Sequence, residues 1–400
     1  MSNGKHSTAS TAPVDVAVRA LSAAHGFDVL AVKGKAGALS VARKLNVIQS
    51  DPLDVAGRNH DFTLFARVSG YRRHHLDELL YKDRALFEYY CKMASIMPVE
   101  TYPVFQYMRG HFAKKYKPFF KEHAKETKEI LSALERAPVC SNDFESEKKV
   151  DYWGKTQVYR VILERLFISG RTVIHHRTTG IKYYTLVEKA IPKKILEDDS
   201  YGREEYHRAA TLMIARASRL VSPSKAVEQW HAVGKTKEIT TILKGLEREG
   251  ELASLEVEGW KGVLYIPSKD EDIWRDPPEP GEDWARFLAP LDPVLWNRAL
   301  FEAIHGHRYC WEVYKKADER KYGYYSLPVL YNGKCTALIE PYYRKKDKAL
   351  EIRSFHILDN NVDKIRFKAA LKEELKRFYE YSGAERMENK SAAKWISSKG

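Results

Sequence analysis

Gln49 and Asp51 stand two residues apart in NVIQSDPLDV (46–55), on an apolar stretch that ends at a proline. In an extended segment residues i and i+2 face the same way, so an amide and a carboxylate would be presented side by side, with Ser50 turned to the opposite face. Such a pair can orient a water and stabilise positive charge developing at a sugar carbon, as carboxylates do in glycoside hydrolysis. Pro52 steers Asp51 away from helical angles and so helps fix where its carboxylate points. The same residues also read as a plain helix start, with Asp51 as N-cap, Pro52 at the first position and Asp54 in the first turn. The two roles are compatible, and these ten residues leave both open.

No other motif competes for the chemistry. The chain has no P-loop, no GxGxxG after a strand, no HExxH and no GxSxG. His74-His75, His175-His176 and the His305/His307 pair lack carboxylate or cysteine partners at metal-ligand spacing and read as surface or packing residues. Cys91, Cys140, Cys310 and Cys335 are isolated from one another, which argues against a zinc or disulfide framework and for a reducing compartment. Neither metal nor cofactor is expected.

The elements that must position the pair belong to an α+β chain of several modules. At 400 residues it exceeds one ordinary domain, and 44 % hydrophobic residues suffice for more than one core. Residues 1–13 are small and polar and read as a disordered tail. APVCSNDFESEKKV (137–150) and PSKDEDIWRDPPEPGEDW (267–284) break the pattern and mark boundaries. Between them a weak repeat runs helix, glycine and two short strands, first over 150–192 and again toward 267. Val158, Val161, Ile162 and Leu166, then Ile239, Ile242, Leu243 and Leu246, keep helical spacing until Gly170 or Gly250 stops them. Two further helices upstream of the second copy, the latter capped by Ser222 with Pro223 in its first turn, make 203–267 a helix-turn-helix with a wing. An acidic, proline-rich linker over 268–283 follows. A C-terminal module over 284–382 reads as a β-meander, with Asn332-Gly333 at one turn and Lys345 to Lys348 at the next. Its closing helix packs Ile365, Phe367, Leu371, Leu375 and Phe378 on one side, and a disordered tail completes 383–400.

Charge indicates the partner. Lys plus Arg number 67 against 54 Asp plus Glu, a net +13 that attracts polyanions, nucleic acid first. No stretch approaches the apolar length of a membrane span.

Four blocks, VIQSDPLDVAGRNHDFTLFARV, LLYKDRALFEYYCKMASIMPVETYP, LAPLDPVLWNRALFEAIHGHRYCWEVY and KYGYYSLPVLYNGK, resemble the signature blocks of the winged-helix DNA glycosylases that unhook interstrand crosslinks, the AlkZ and AlkX (YcaQ-like) family. The resemblance covers about residues 14–356. It implies tandem winged-helix domains forming a C-shaped basic scaffold, with a catalytic winged-helix or helical domain over 14–136. The family motif of glutamine, an aliphatic residue and glutamine or aspartate falls on Gln49, Ser50 and Asp51, with Ser50 a departure. Lys92 stands where many relatives carry a histidine.

The activity implied is hydrolysis of the N-glycosidic bond of alkylated purines, N7-alkylguanine held in crosslinks included. Asp51 would act as electrostatic stabiliser and general base, and Gln49 would orient the water. No lysine belongs to the motif, so a monofunctional enzyme is expected, although Lys44 or Lys92 could stand near. Arg58 and His60 match a recurrent block and could line the cleft, with an ion-paired Arg58 the structural alternative. Lys235 and Lys237 at the start of a recognition helix suit phosphates. Tyr322, Tyr324 and Tyr325 either press on a groove or form a β-core. The partner would be duplex DNA with alkylated or crosslinked bases, bound by a monomer in the cytoplasm (with the nucleoid) of a bacterium or the nucleus of a eukaryote. A non-catalytic winged-helix DNA-binding protein, whether regulator or damage binder, explains the charge and the repeats equally well.

Overall fold

Helical spacing of Ala17, Val18, Leu21 and Ala24 produces the first helix, Val14–His25, which buries that face and ends where Gly26 takes φ 70°. The structure, a computed structural model, describes residues 11–389 apart from 153, 225, 226, 231, 232 and 280. It divides into two units, one made of residues up to His75 together with those from Thr211 onward, the other Leu76–Ala210. The first unit is therefore discontinuous, and the boundary falls within the span 14–136 expected to be one module.

In the first unit, the helices Val14–His25, Gly34–Leu45 and Asn59–Phe65 precede the interruption. After it come the end of Arg203–Ser218, the short helix Val227–Trp230 and the helix Thr236–Arg248, followed by the hairpin Leu252–Val257 and Leu264–Pro267. The helix and hairpin fall where the periodicity placed them, with Gly250 at φ 76° between. The cap expected of Ser222 falls beside residues 225 and 226, which lie outside the described residues. The Ser222 hydroxyl accepts from the Ser224 N–H at 3.3 Å, and the described helix begins at Val227.

Three segments expected to be loose are partly ordered. Thr11–Ala12 pairs in parallel with Glu256 and Val257, while residues 1–10 of the expected N-terminal tail lie outside the described residues. The stretch 268–283 opens as a helical turn and the helix Glu271–Arg275, because Trp274 is buried and Asp270 meets Arg219 in a buried ion pair at 3.2 Å. Arg386–Asn389 adds a parallel strand beside Ala349–Ile352, and residues 390–400 of the expected C-terminal tail lie outside the described residues.

The C-terminal sheet has five strands in the order Ala285–Phe287, Leu327–Tyr331, Lys334–Arg344, Ala349–Ile357, Arg386–Asn389. Its first four are antiparallel neighbours, and the turn at Asn332-Gly333 uses φ 47° and 86°. The register shifts at Glu340/Pro341, where proline has no N–H to donate. The helix Lys364–Ser382 buries Phe367, Leu371, Leu375 and Phe378, but Ile365 is 77 % exposed in its first turn. Phe378 and Tyr381 from this helix meet Phe62 and Phe65 at ring separations of 5.0 to 5.9 Å. Burying each such side chain contributes about 2 kcal/mol, so the helix Asn59–Phe65 is anchored by aromatic packing rather than by its own seven residues.

The second unit holds the hairpin Leu86–Tyr90 and Ala94–Pro98, the helices Gln106–Glu122, Ala124–Arg136 and Val158–Ile168, and the hairpin Thr172–Thr178 and Ile181–Leu186. Thr179 and Gly180 turn the second hairpin at φ 47° and 87°, as the repeat requires. Among the described residues no helix is long and apolar enough to cross a membrane.

Candidate active site

Asp51 caps no helix. Its Oδ1 accepts the Leu53 N–H at 2.9 Å in a side-chain turn, and residues 51–58 run without regular structure to the helix Asn59–Phe65. Tertiary bonds draw this segment out of helical form: the Tyr343 N–H donates to the Val55 carbonyl at 3.0 Å, and the buried Tyr325 hydroxyl to that of Gly57 at 3.3 Å. Arg73 clamps Asp54 through two bonds of 2.9 and 3.1 Å. Gly57 is required by space, since a Cβ there would stand 2.5 Å from Phe62 Cζ and 2.8 Å from the Tyr381 hydroxyl.

Gln49 ends the two-residue strand Ile48–Gln49 and is buried. Its backbone carbonyl accepts from Asn59 Nδ2 at 2.8 Å, and Asn59 Oδ1 in turn accepts the Leu291 N–H at 2.9 Å. The Gln49 side-chain oxygen is buried with no hydrogen-bond partner among the described residues. A buried amide oxygen left unpaired is disfavoured, so its position suits a bound donor such as water. Asp51 is half-buried, and the Leu53 N–H is the one donor to its carboxylate among the described residues. Burial pushes its pKa above the usual carboxylate value, partly opposed by that N–H. The arrangement therefore offers a basic carboxylate and an unpaired amide oxygen two residues apart, able to hold and deprotonate a water.

Ser50 turns its hydroxyl to His60 Nδ1, 3.3 Å away, so the unusual residue within the motif has a polar partner. His60 is buried. Arg58 donates to Asp61 at 2.5 and 3.2 Å, and Asp61 also accepts from Tyr71 at 2.7 Å. Burial opposes ionisation of Asp61, but His60, Arg58 and Tyr71 together hold its carboxyl below the usual range. Arg58 thus takes the ion-paired alternative.

The remaining sequence candidates stand elsewhere. Lys92 is buried at the tip of the hairpin Leu86–Tyr90 and Ala94–Pro98, in the second unit. Lys235 and Lys237 are exposed at the start of the helix Thr236–Arg248. Tyr322 and Tyr324 occupy a loop before the strand Leu327–Tyr331 and not a strand, because Glu312 and Glu340 accept their backbone N–H groups, each at 2.7 Å, in place of a ladder. Tyr325 is fully buried, and its phenol is pushed well above its ordinary pKa by burial, then by Tyr309 and the Asp51 charge. The sequence reading missed Asn59 and the Asp54–Arg73 clamp. Asn59 sits between Arg58 and His60, yet nothing in residue type reveals that it reaches back ten positions to Gln49.

In the comparison of folds, the chain is similar to the Streptomyces sahachiroi DNA glycosylase AlkZ, with a TM-score of 0.63 and 12 % identity, over 95 % of this chain and 100 % of that one. Residues 42–381 match the family model described as DNA glycosylase AlkZ-like. Gln49, Asp51, Asn59 and the first four strands of the C-terminal sheet lie within that span, and the chain belongs to the AlkZ-like DNA glycosylase family.

Proposed function

We propose that this protein hydrolyses the N-glycosidic bond of alkylated purines in duplex DNA, with N7-alkylguanine, including that held in interstrand crosslinks, as substrate. The observation that carries this reading is the Asp51 carboxylate, half-buried and paired with no cation among the described residues, two positions along the chain from Gln49, whose side-chain oxygen is unpartnered among them. Alkylation at N7 gives the base a positive charge, so the bond from the sugar C1′ to N9 breaks with its electron pair leaving on the base and no proton need be supplied. Asp51 stabilises the charge that develops at the sugar and takes the proton of the attacking water, which Gln49 orients. The products are the free alkylpurine and an abasic site. Water is the nucleophile, so the enzyme is monofunctional and leaves the strand intact.

Tandem winged helices supply the scaffold in this reading, and the exposed Lys235 and Lys237 meet phosphates at the positive end of their helix. His60 supports the motif through Ser50, and Arg58 does so through Asp61. Tyr322 and Tyr324 are retained as cleft residues of the first unit. The protein acts as a monomer in the compartment that holds the DNA.

The test is release of N7-methylguanine from a defined duplex by the wild type and by Asp51→Asn, with binding to the same duplex measured in parallel. Abasic sites from the wild type, and binding without release by the variant, support the assignment. Release by neither protein from this duplex and from a crosslinked one, with binding retained, would replace it with a non-catalytic DNA-binding role.

A further inference from the structure

Within the first unit, a cavity of about 330 Å³ opens between the end of the helix Gly34–Leu45, the end of the helix Arg203–Ser218 and the turn after the strand Leu264–Pro267. It is lined by five cationic side chains, Arg43, Lys44, Arg216, Arg219 and Lys269, against two carboxylates, Glu251 and Asp270. Arg216 is bonded to Glu251 at 2.9 Å and Arg219 to Asp270 at 3.2 and 3.3 Å, so the carboxylates are engaged and the remaining charge is positive.

Arg219 is the unusual member. It is 5 % exposed, holds φ at 60°, and donates from Nη2 to the Lys44 carbonyl at 2.8 Å. Its Nε is buried with no partner among the described residues. A non-glycine residue in left-handed backbone is disfavoured, and strain of this kind gathers at ligand sites. Burial and then the Arg219 charge lower the pKa of Lys44. Positive charge is thus crowded around a space large enough for roughly ten waters.

We propose that this cavity is an anion site distinct from the Gln49 and Asp51 pair and takes a phosphate group. Guanidinium and ammonium groups lining one cavity, five cations against two carboxylates, match the charge of a phosphate, and the guanidinium forks match the geometry of its oxygens. The phosphate comes either from the backbone of a duplex or from a free phosphate. The site does not depend on the glycosylase reading.

The experiment uses the full chain and Lys269→Glu, whose exposed side chain is not needed for packing, with the exposed Lys372→Glu as an equal charge change elsewhere in the same unit. Binding to an undamaged duplex is measured across a salt series, and thermal stability is measured with inorganic phosphate. A duplex source is supported if Lys269→Glu weakens binding about tenfold and lowers the slope of log K against log salt by about one while Lys372→Glu does neither. A free source is supported if inorganic phosphate stabilises the wild type and Lys372→Glu but not Lys269→Glu. The proposal is overturned if Lys269→Glu behaves as the wild type in both arms, or if the two variants lose duplex affinity equally and respond alike to phosphate. Base release is not read, so failure here is separate from failure of the catalytic assignment.

Discussion

Asn59 Nδ2 lies 2.8 Å from the backbone carbonyl oxygen of Gln49, and this bond fixes the segment that carries Gln49 and Asp51 to the helix Asn59–Phe65. The other end of the same amide holds the Leu291 N–H at 2.9 Å, tying the motif to the chain that leads into the C-terminal module. Asn59→Ala leaves a donor and an acceptor without partners and is expected to destabilise the fold by about 3 kcal/mol, since each orphaned buried group costs about 1–3 kcal/mol. Asn59→Asp keeps an acceptor for Leu291 but sets a buried carboxylate against the Gln49 carbonyl, and is expected to lose at least as much. Urea unfolding checks the stability. In base release, kcat should fall further than KM rises, because the duplex is still bound while Gln49 and Asp51 are misplaced. A variant with full stability and an unchanged kcat would remove Asn59 from the positioning of the site.

Asp51 gives the pH dependence of the proposed reaction a sign. Burial raises its pKa, so the carboxylate takes up a proton at higher pH than an exposed aspartate does. A general base must be ionised, and the rate is therefore expected to fall on the acid side, with a midpoint above the usual aspartate value. Measuring kcat against pH in the wild type locates that midpoint. If Asp51→Glu retains activity, its acid limb should move while the alkaline side does not. An acid limb at or below the ordinary aspartate pKa would contradict a desolvated base.

Much of this candidate site is legible in the sequence, and the rest is hidden for physical reasons. Local signals carried the elements: the spacing Ile239, Leu243, Leu246 with Gly250 gave a helix and its stop, and Asn332-Gly333 gave a hairpin. The cap role left open for Asp51 rests on Asp-Pro as a true helix-start pattern, which the Tyr343 bond to Val55 and the Tyr325 bond to Gly57 override. Those partners are more than 250 residues away and leave no local trace. The loose segments were misread for a related reason. Arg386–Asn389 and Thr11–Ala12 become strands because an edge elsewhere pairs with them, and polar composition does not record the edge.

Arg67 and Asp292 form a second brace around the site. Two bonds of 2.7 and 2.8 Å join them, their side chains are 1 % and 0 % exposed, and the guanidinium also contacts His25 Nδ1 at 3.0 Å and lies over the Phe27 ring at 4.4 Å. Removing one partner leaves the other charge in the interior. Asp292→Ala is expected to destabilise by about 3–5 kcal/mol, more than an exposed pair such as Lys348 and Glu385 would on losing its acid. Thermal unfolding of Asp292→Ala beside Glu385→Ala makes the comparison. Equal, small losses would mean that water reaches Arg67.

His305 sets a further pH dependence, this one of stability. Its Nδ1 donates to the Gly333 carbonyl at 2.7 Å, its Nε2 is buried without a partner among the described residues, and Phe301 packs on the ring at 4.3 Å. Burial lowers its pKa from 6.5 to about 4. Between those values the unfolded chain binds a proton that the folded chain does not, so stability rises with pH across this window and is lost as pH falls from 6.5 toward 4. The full loss from this group is about 3 kcal/mol. His305→Gln keeps a donor for Gly333 and has no charge to gain. It is expected to be about 1 kcal/mol less stable at pH 8, through poorer packing on Phe301, yet to decline less steeply toward pH 4. Urea unfolding at a series of pH values compares the two slopes. Identical slopes would show that the His305 ring takes up its proton inside the folded protein and that the pocket beside Gly333 is wet.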